Sequence, residues 1–451
     1  MRDILAFVFL VAATTATAQP APVALSDAQK QEIVEKAAQA LAEGYVYPDR
    51  ARAAGEAIRK AMAGGDYAAI ASRPAFATRL TADLQAITHD KHMRVMDPEG
   101  PRPADAPVGP PPRSWAGVIR ATRLKGNVGY IDLSGFPNPG MFRDAANAAM
   151  RAVSGTDALI IDMRRNGGGS PEAVAYLCSF LFDSAKPVHL NDLIWRNRGT
   201  ETYRTQTFFT GPTPSHYLGK PVVLITSHFT FSGGEEFTND LKVLKRAVVV
   251  GETTGGGANP GGVAPLASGL VLFVPGGRAE NPTTKTSWEG VGVQPDIPAA
   301  PTEAFAVAYR AALKAAPASL ARAALLTQAA GAGGEADAWL DAPLVMPRTT
   351  ASPATEAALR KLIAQVATGE PDYASFDAGL VEPIRQQMPN VHREMAGLGA
   401  LQSLTFKVVD GLGSDVYHAT FEHGEMDWVI YVTADGHIAN AFYPKPPRHS
   451  S

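Results

Sequence analysis

The chain has 451 residues, 45% of them hydrophobic and 19% charged, with a formal net charge of −3. That is the composition of a globular protein with an ample core, long enough for two or three domains. It leaves no basic face for nucleic acid, and the single cysteine, Cys178, excludes intrachain disulfides.

Residues 1–18 read as a signal peptide. Arg2 gives a positive start, 4–13 is an apolar stretch too short to span a bilayer, and Ala16-Thr17-Ala18 fits a small-x-small cleavage site. An exported chain, periplasmic or extracellular after cleavage near Ala18, is the expectation. No later segment is long and apolar enough to cross a membrane, so no stable membrane insertion is expected.

Residues 26–96 form an expected N-terminal helical subdomain. Ser26 caps a helix over 29–41, Pro48-Asp49 opens a second to 62, and 76–87 makes a third with Phe76, Leu80, Leu84 and Ile87 on one stripe. Residues 97–113 are a Pro-rich linker. From 114 to 331 strands at 128–133, 158–163, 222–226, 247–250 and 270–274 alternate with helices at 141–152, 171–182 and 235–245. That alternation predicts an α/β layered core with largely parallel strands. Residues 332–352 carry Gly-Gly and Pro and read as a linker. Residues 353–446 read as a separate α+β unit, with helices at 355–366 and 378–388 and strands at 404–409, 416–422, 428–432 and 438–443. Phe406, Tyr417, Phe421 and Trp428 line its sheet, as core or as a binding surface, with core preferred.

The chemistry concentrates around Thr226-Ser227-His228-Phe229-Thr230-Phe231-Ser232-Gly233-Gly234-Glu235. A serine between a strand end and a helix start, backed by glycines whose N–H groups approach a substrate oxygen, is placed as a nucleophile. Glu235, three residues on, also fits a capping box with Ser232 as N-cap. A serine needs a base. His92 is the preferred candidate, with His89 and His228 as alternatives. Strand-to-glycine loops also occur at Asp162-Met163-Arg164-Arg165-Asn166-Gly167-Gly168-Gly169 and Gly251-Glu252-Thr253-Thr254-Gly255-Gly256-Gly257, and Glu289 sits in Trp288-Glu289-Gly290-Val291-Gly292. No paired metal-ligand spacing occurs, so neither metal nor cofactor is expected.

These four segments, in this order, resemble peptidase family S41, the tail-specific and C-terminal-processing protease group. The helical start ending in Asp90-Lys91-His92, with no PDZ-sized segment after it, is similar to the tricorn-core and interphotoreceptor retinoid-binding-protein-like branch without a PDZ domain. The resemblance implies a ClpP/crotonase-like α/β core, and residues 353–446 loosely resemble NTF2- or cystatin-like accessory domains. It implies Ser232 as nucleophile, His92 as base, Glu289 as the carboxylate holding the imidazole, and Gly233 and Gly168 as oxyanion donors. In the processing-protease branch the base is a lysine 25 residues after the serine; that position here is Gly257, leaving only Lys242 and Lys245 as substitutes. In the tricorn-like branch a serine precedes the histidine; here it is Lys91. The resulting expectation is an exported serine peptidase acting on peptides or unfolded protein. The alternatives are a catalytically weak or inactive binder of peptide or apolar ligand on the same fold, or a serine esterase.

Overall fold

Ala158–Asp162 and Val222–Thr226 are unbroken apolar runs, which suit strands covered on both faces. They are neighbours at the centre of a seven-stranded sheet. Its order is Ile297–Pro298, Val248–Gly251, Val222–Thr226, Ala158–Asp162, Val128–Leu133, Val118–Leu124, Leu340–Val345. The first five run parallel, Val118–Leu124 is antiparallel to them, and Leu340–Val345 is antiparallel to Val118–Leu124. This computed structural model describes residues 24–98, 114–183, 185–330, 334–345, 347–444 and 448–449. The expected signal peptide and most of the Pro-rich linker lie outside them.

Helices Pro139–Val153, Pro171–Ser179 and Gly233–Val243 cover one face of the sheet, packing Phe142, Leu177 and Phe237 onto Leu159, Ile161 and Leu224. Helices Ala304–Ala315 and Leu320–Ala330 cover the other, where Phe305 and Tyr309 meet Tyr130, Ile160 and Ile225. The fold is therefore a mixed α/β sheet core preceded by a helical region. Side chains alternate between two dry layers because successive strand residues point to opposite faces.

The helical region consists of Asp27–Gly44, Pro48–Ala63 and Arg73–Thr88. Ser26 caps the first through a full capping box with Gln29. The region is stitched to the core: Arg94–Met96 pairs with Val271–Pro275, and Leu270, Leu272 and Val274 complete the cluster of Phe76, Leu80 and Leu84.

Two stretches differ from expectation. Residues 332–352, read as a linker, contain Leu340–Val345, which pairs with Val118–Leu124 and closes the sheet edge. The polar stretch after the helix Pro171–Ser179, for which the sequence pattern predicts no strands, supplies His189–Arg196 and Tyr203–Phe209 to a second sheet completed by Gly277–Glu280, partly solvent-facing and so lacking a strong apolar pattern.

The C-terminal unit packs helices Thr355–Thr368 and Ala378–Ala396 on an antiparallel sheet of Leu401–Val409, Asp415–Phe421, Gly424–Val432 and Ile438–Phe442. Tyr417, Phe421 and Trp428 are buried in its own core with Leu359 and Ile363, while Phe406 is only partly buried. The unit docks on the main core: Trp115 Nε1 donates to Tyr431 Oη at 2.7 Å and the Ala434 amide to Asp144 at 2.8 Å.

Replacing residues 340–345 by a Gly/Ser segment removes the strand that covers Val118–Leu124. The expected outcome is a lower melting temperature with concentration-dependent self-association, because an unpaired edge templates strand addition. Light scattering with a thermal melt checks it; a variant with wild-type melting and no association would contradict this account of the edge.

Candidate active site

Strands Ala158–Asp162, Val222–Thr226 and Val248–Gly251 end abreast, with Asp162 opposite Ile225 and Thr226 opposite Gly251. Ligands bind at such carboxyl ends in open α/β sheets. The loops leaving them are bolted together. Thr230 Oγ1 donates to the Met163 carbonyl at 2.8 Å, Ser227 Oγ to Arg164 O at 2.7 Å and the Phe231 amide to Asn166 O at 3.0 Å. Asp162 accepts from Arg164 and, at 2.7 Å, from Tyr130 Oη.

Ser232 lies between strand and helix at φ 51°, ψ −122°. Positive φ at a non-glycine residue costs on the order of 1–3 kcal/mol and persists only where its surroundings enforce it. The enforcing group is Glu235, which is fully buried. Its Oε2 accepts from the amides of Ser232 (2.9 Å) and Gly257 (2.8 Å), and its Oε1 from the Gly256 amide (2.6 Å) and Thr254 Oγ1 (2.5 Å). Burial raises this carboxyl above the ordinary range, with the four donors pulling against it. The sequence suggested a local cap here. The structure adds a clamp across two loops, which only the tertiary fold could reveal.

Ser232 opens onto a cleft of about 520 Å³ lined also by His92, Phe231, Gly233, Gly257 and Trp288. His92 is buried to 9% exposure, its ring set between Phe231 (centroids 4.6 Å apart) and Phe273 (5.8 Å). Its amide donates to Asp90 Oδ1 at 3.0 Å. Burial, reinforced by the charge of Arg94, pushes the imidazole down to about 4. A Cβ on Gly257 would lie 2.7 Å from His92 Cε1 and 2.2 Å from Phe231 Cζ. The imidazole therefore uses the space a side chain at 257 would need.

Glu289 Oε2 accepts from the Ala258 amide at 2.6 Å. Its Oε1 and His92 Nδ1 are both buried without a hydrogen-bond partner. Donor atoms of Asp90, His92 and Glu289 all lie within 4.8 Å of one another. That convergence would also admit a metal ion, although the sequence has no metal-ligand motif. Burial and then the Asp90 charge push the Glu289 carboxyl up to about 7. Asp90 is fixed by Asn259 Nδ2 at 2.8 Å and Tyr45 Oη at 3.3 Å.

Among the described residues the Gly233 amide has no hydrogen-bond partner, whereas the Gly168 amide donates to Asn166 Oδ1 at 2.9 Å. The expectation of Gly168 as a second oxyanion donor is corrected accordingly. Its glycine character serves packing instead: at φ 97°, a Cβ there would fall 2.7 Å from both Gly233 N and Ser232 Cβ. Gly169 lines the cleft, and its amide has no partner among the described residues.

The alternative bases lie elsewhere. His228 is exposed and pairs with Glu252 at 2.9 Å, and His89 is an exposed helix C-cap. Lys242 is bound to Asp296 at 2.8 Å, and neither it nor Lys245 lines the cleft. Lys91 Nζ donates to the Gly255 carbonyl at 2.5 Å.

The chain matches the model described as Peptidase family S41 over residues 127–299, and the N-terminal domain of Peptidase_S41 in eukaryotic IRBP over residues 19–115. Both matched models are those of peptidase family S41. It is 30% identical over 177 residues to the chloroplastic carboxyl-terminal-processing peptidase 2 of Arabidopsis thaliana, covering 38% of this chain and 32% of the relative. It is 27% identical over 181 residues to the tricorn protease of Thermoplasma volcanium, covering 39% of this chain and 15% of the relative. It thus spans a third or less of the length of these curated relatives. Among solved structures, the photosystem II D1 C-terminal processing protease aligns with a TM-score of 0.41 at 16% identity, over 60% of this chain and 93% of that one.

Replacing Glu235 by Gln turns one acceptor oxygen into a donor facing amide N–H groups. The expected outcome is a loss of about 2–4 kcal/mol of stability, read by urea denaturation. A loss within about 0.5 kcal/mol would show that the clamp is not needed to hold the elbow.

Proposed function

We propose that the protein is an exported serine peptidase that hydrolyses peptide bonds through an acyl-enzyme on Ser232. The observation carrying this reading is the enforced positive-φ serine, which faces the same cleft as the His92 imidazole beside the unpartnered Gly233 amide. His92, neutral above about pH 4, takes the Ser232 proton as the oxygen attacks the substrate carbonyl. The developing oxyanion is stabilised by the Gly233 amide at the helix N-terminus. The Gly169 amide is the second donor; its nitrogen lies 3.1 Å from where a Cβ on Gly233 would stand. His92 returns the proton to the leaving amine, and water then cleaves the acyl ester by the same relay. Glu289 acts on His92 through charge: ionised, it favours the transient imidazolium. Peptide or unfolded protein is the substrate class. The match to the peptidase family S41 model supports a peptidase, and the match to the N-terminal domain model begins at residue 19, just past the expected cleavage site. No helix among the described residues is long and apolar enough to cross a membrane.

A fluorophosphonate probe should label the protein, and Ser232→Ala should abolish labelling. An unlabelled wild-type chain would instead favour the binding-protein alternative.

The pH dependence follows from the two shifted groups. The imidazole is competent above about 4, and Glu289 is ionised only above about 7. Activity needing both forms therefore rises with pH through about 7, as a property of the pair. Glu289→Gln should erase that limb and lower kcat/KM by roughly 10²–10⁴-fold. A pH–rate profile unchanged in the variant would remove Glu289 from the mechanism.

A further inference from the structure

Glu236 follows the clamp residue and, unlike it, lines the cleft. Its amide donates to the Ser232 carbonyl at 3.0 Å, so it stands one helical turn from the nucleophile, and both residues line the same cleft. It is only 5% exposed. Behind it, Asp240 is fully buried and neither of its carboxylate oxygens has a hydrogen-bond partner. Asn191, on strand His189–Arg196 and also fully buried, has an unpartnered amide nitrogen and oxygen. Among the described residues no ion pair reaches Glu236 or Asp240. Isolated buried carboxylates and amides are expensive unless something completes them. This polar recess opens on the cleft through Glu236 alone. Leu193, Trp195 and Ala279 give the cleft an apolar wall, and Glu172 adds a second carboxylate.

We propose that this recess is a specificity site for a cationic side chain, lysine or arginine, on the substrate residue that acylates Ser232. The stem lies along Leu193 and Trp195 and the charge meets Glu236. One helical turn, about 5.4 Å, matches the reach of such a side chain, whose methylenes favour apolar walls while the head group seeks a carboxylate. The role assigned to the residue at Ser232 depends on the peptidase reading above; binding of the cation in the recess does not.

Charge makes the site pH-sensitive. Burial raises Glu236 to about 8, with Asn191 acting against the shift and Glu172 adding to it. Asp240 on the same helix is also raised, by burial and then by Glu236, and the facing Cys178 thiol is raised by its own burial. An arriving cation must displace a proton below about pH 8, so affinity for it rises with pH up to that point and then levels.

The test uses Ser232→Ala protein, which needs no catalysis, and calorimetric titration with two peptides differing only in arginine or norleucine at the residue before the scissile bond. Arginine should bind at least about tenfold tighter at about pH 9. The advantage should shrink toward about pH 6 with measurable proton release, while norleucine binding stays constant. Adding Glu236→Gln should bring the two peptides within about twofold. If that variant does not fold by circular dichroism, the pH dependence of the arginine preference in the Ser232→Ala protein decides alone. Equal or tighter norleucine binding, or no binding of either peptide, overturns the proposal. Failure of Ser232 to label with fluorophosphonate while the arginine preference persists would sink the catalytic reading and leave this site standing.

Discussion

The working geometry of this protein depends on one buried carboxylate. Glu235 holds the amide of Ser232 on one side and the amides of Gly256 and Gly257 on the other. Without it, the serine's positive φ has no counterweight, and the glycine loop that borders His92 has no fixed distance from the nucleophile. A local helix-capping pattern thereby acts at long range. The same group that satisfies the first turn of the helix Gly233–Val243 also anchors a loop from the neighbouring strand, Val248–Gly251. A hydrogen-bonded network of this kind is rigid because each donor has one place to go.

Around that anchor the site is a problem of space as much as of charge. A side chain at position 257 is excluded by the rings of Phe231 and His92. Loss of bulk at 257 and arrival of an imidazole from the end of the helix Arg73–Thr88 are two sides of one arrangement. The imidazole comes from a segment that reaches the core only through the pairing of Arg94–Met96 with Val271–Pro275. The helical region thus delivers a site residue as well as burying its own core. Its price is desolvation, which keeps His92 neutral across the physiological range.

Much of this was legible in the sequence, for identifiable reasons. The core strands announce themselves because they are covered on both faces, so their apolar runs are unbroken, as in Leu159-Ile160-Ile161 and Val222-Val223-Leu224. The elbow at Ser232 was readable from glycines beside a strand end. By contrast, the strand Leu340–Val345 sits among Gly and Pro at a sheet edge, where one-sided pairing leaves a weak pattern. Leu193, Trp195 and Gln206 belong to a half-exposed sheet with no sequence motif, yet they wall the cleft. The Gly168 amide could not be assigned from spacing, since its partner is the side chain of Asn166 two residues away, and only the loop's actual turn directs one onto the other. Fold class follows from periodicity. The identity of a free amide depends on a single local hydrogen bond that periodicity does not record.

Glu235 and Glu236 are consecutive on the helix Gly233–Val243. Successive positions on a helix point about 100° apart, so one carboxylate faces two loops and the other faces the cleft. The first meets four donors. The second meets the amide of Asn191 and lies near a second buried acid. Both are raised by burial, but the first is nevertheless complete within the fold. Natural interiors rarely leave carboxylates and amides unsatisfied without a use for them. A buried acid one turn from the nucleophile, on the wall of the cleft a substrate would fill, is where a fold stores selectivity. The fold holds this acid in its neutral form by burial, so that a bound cation is what draws out its charge.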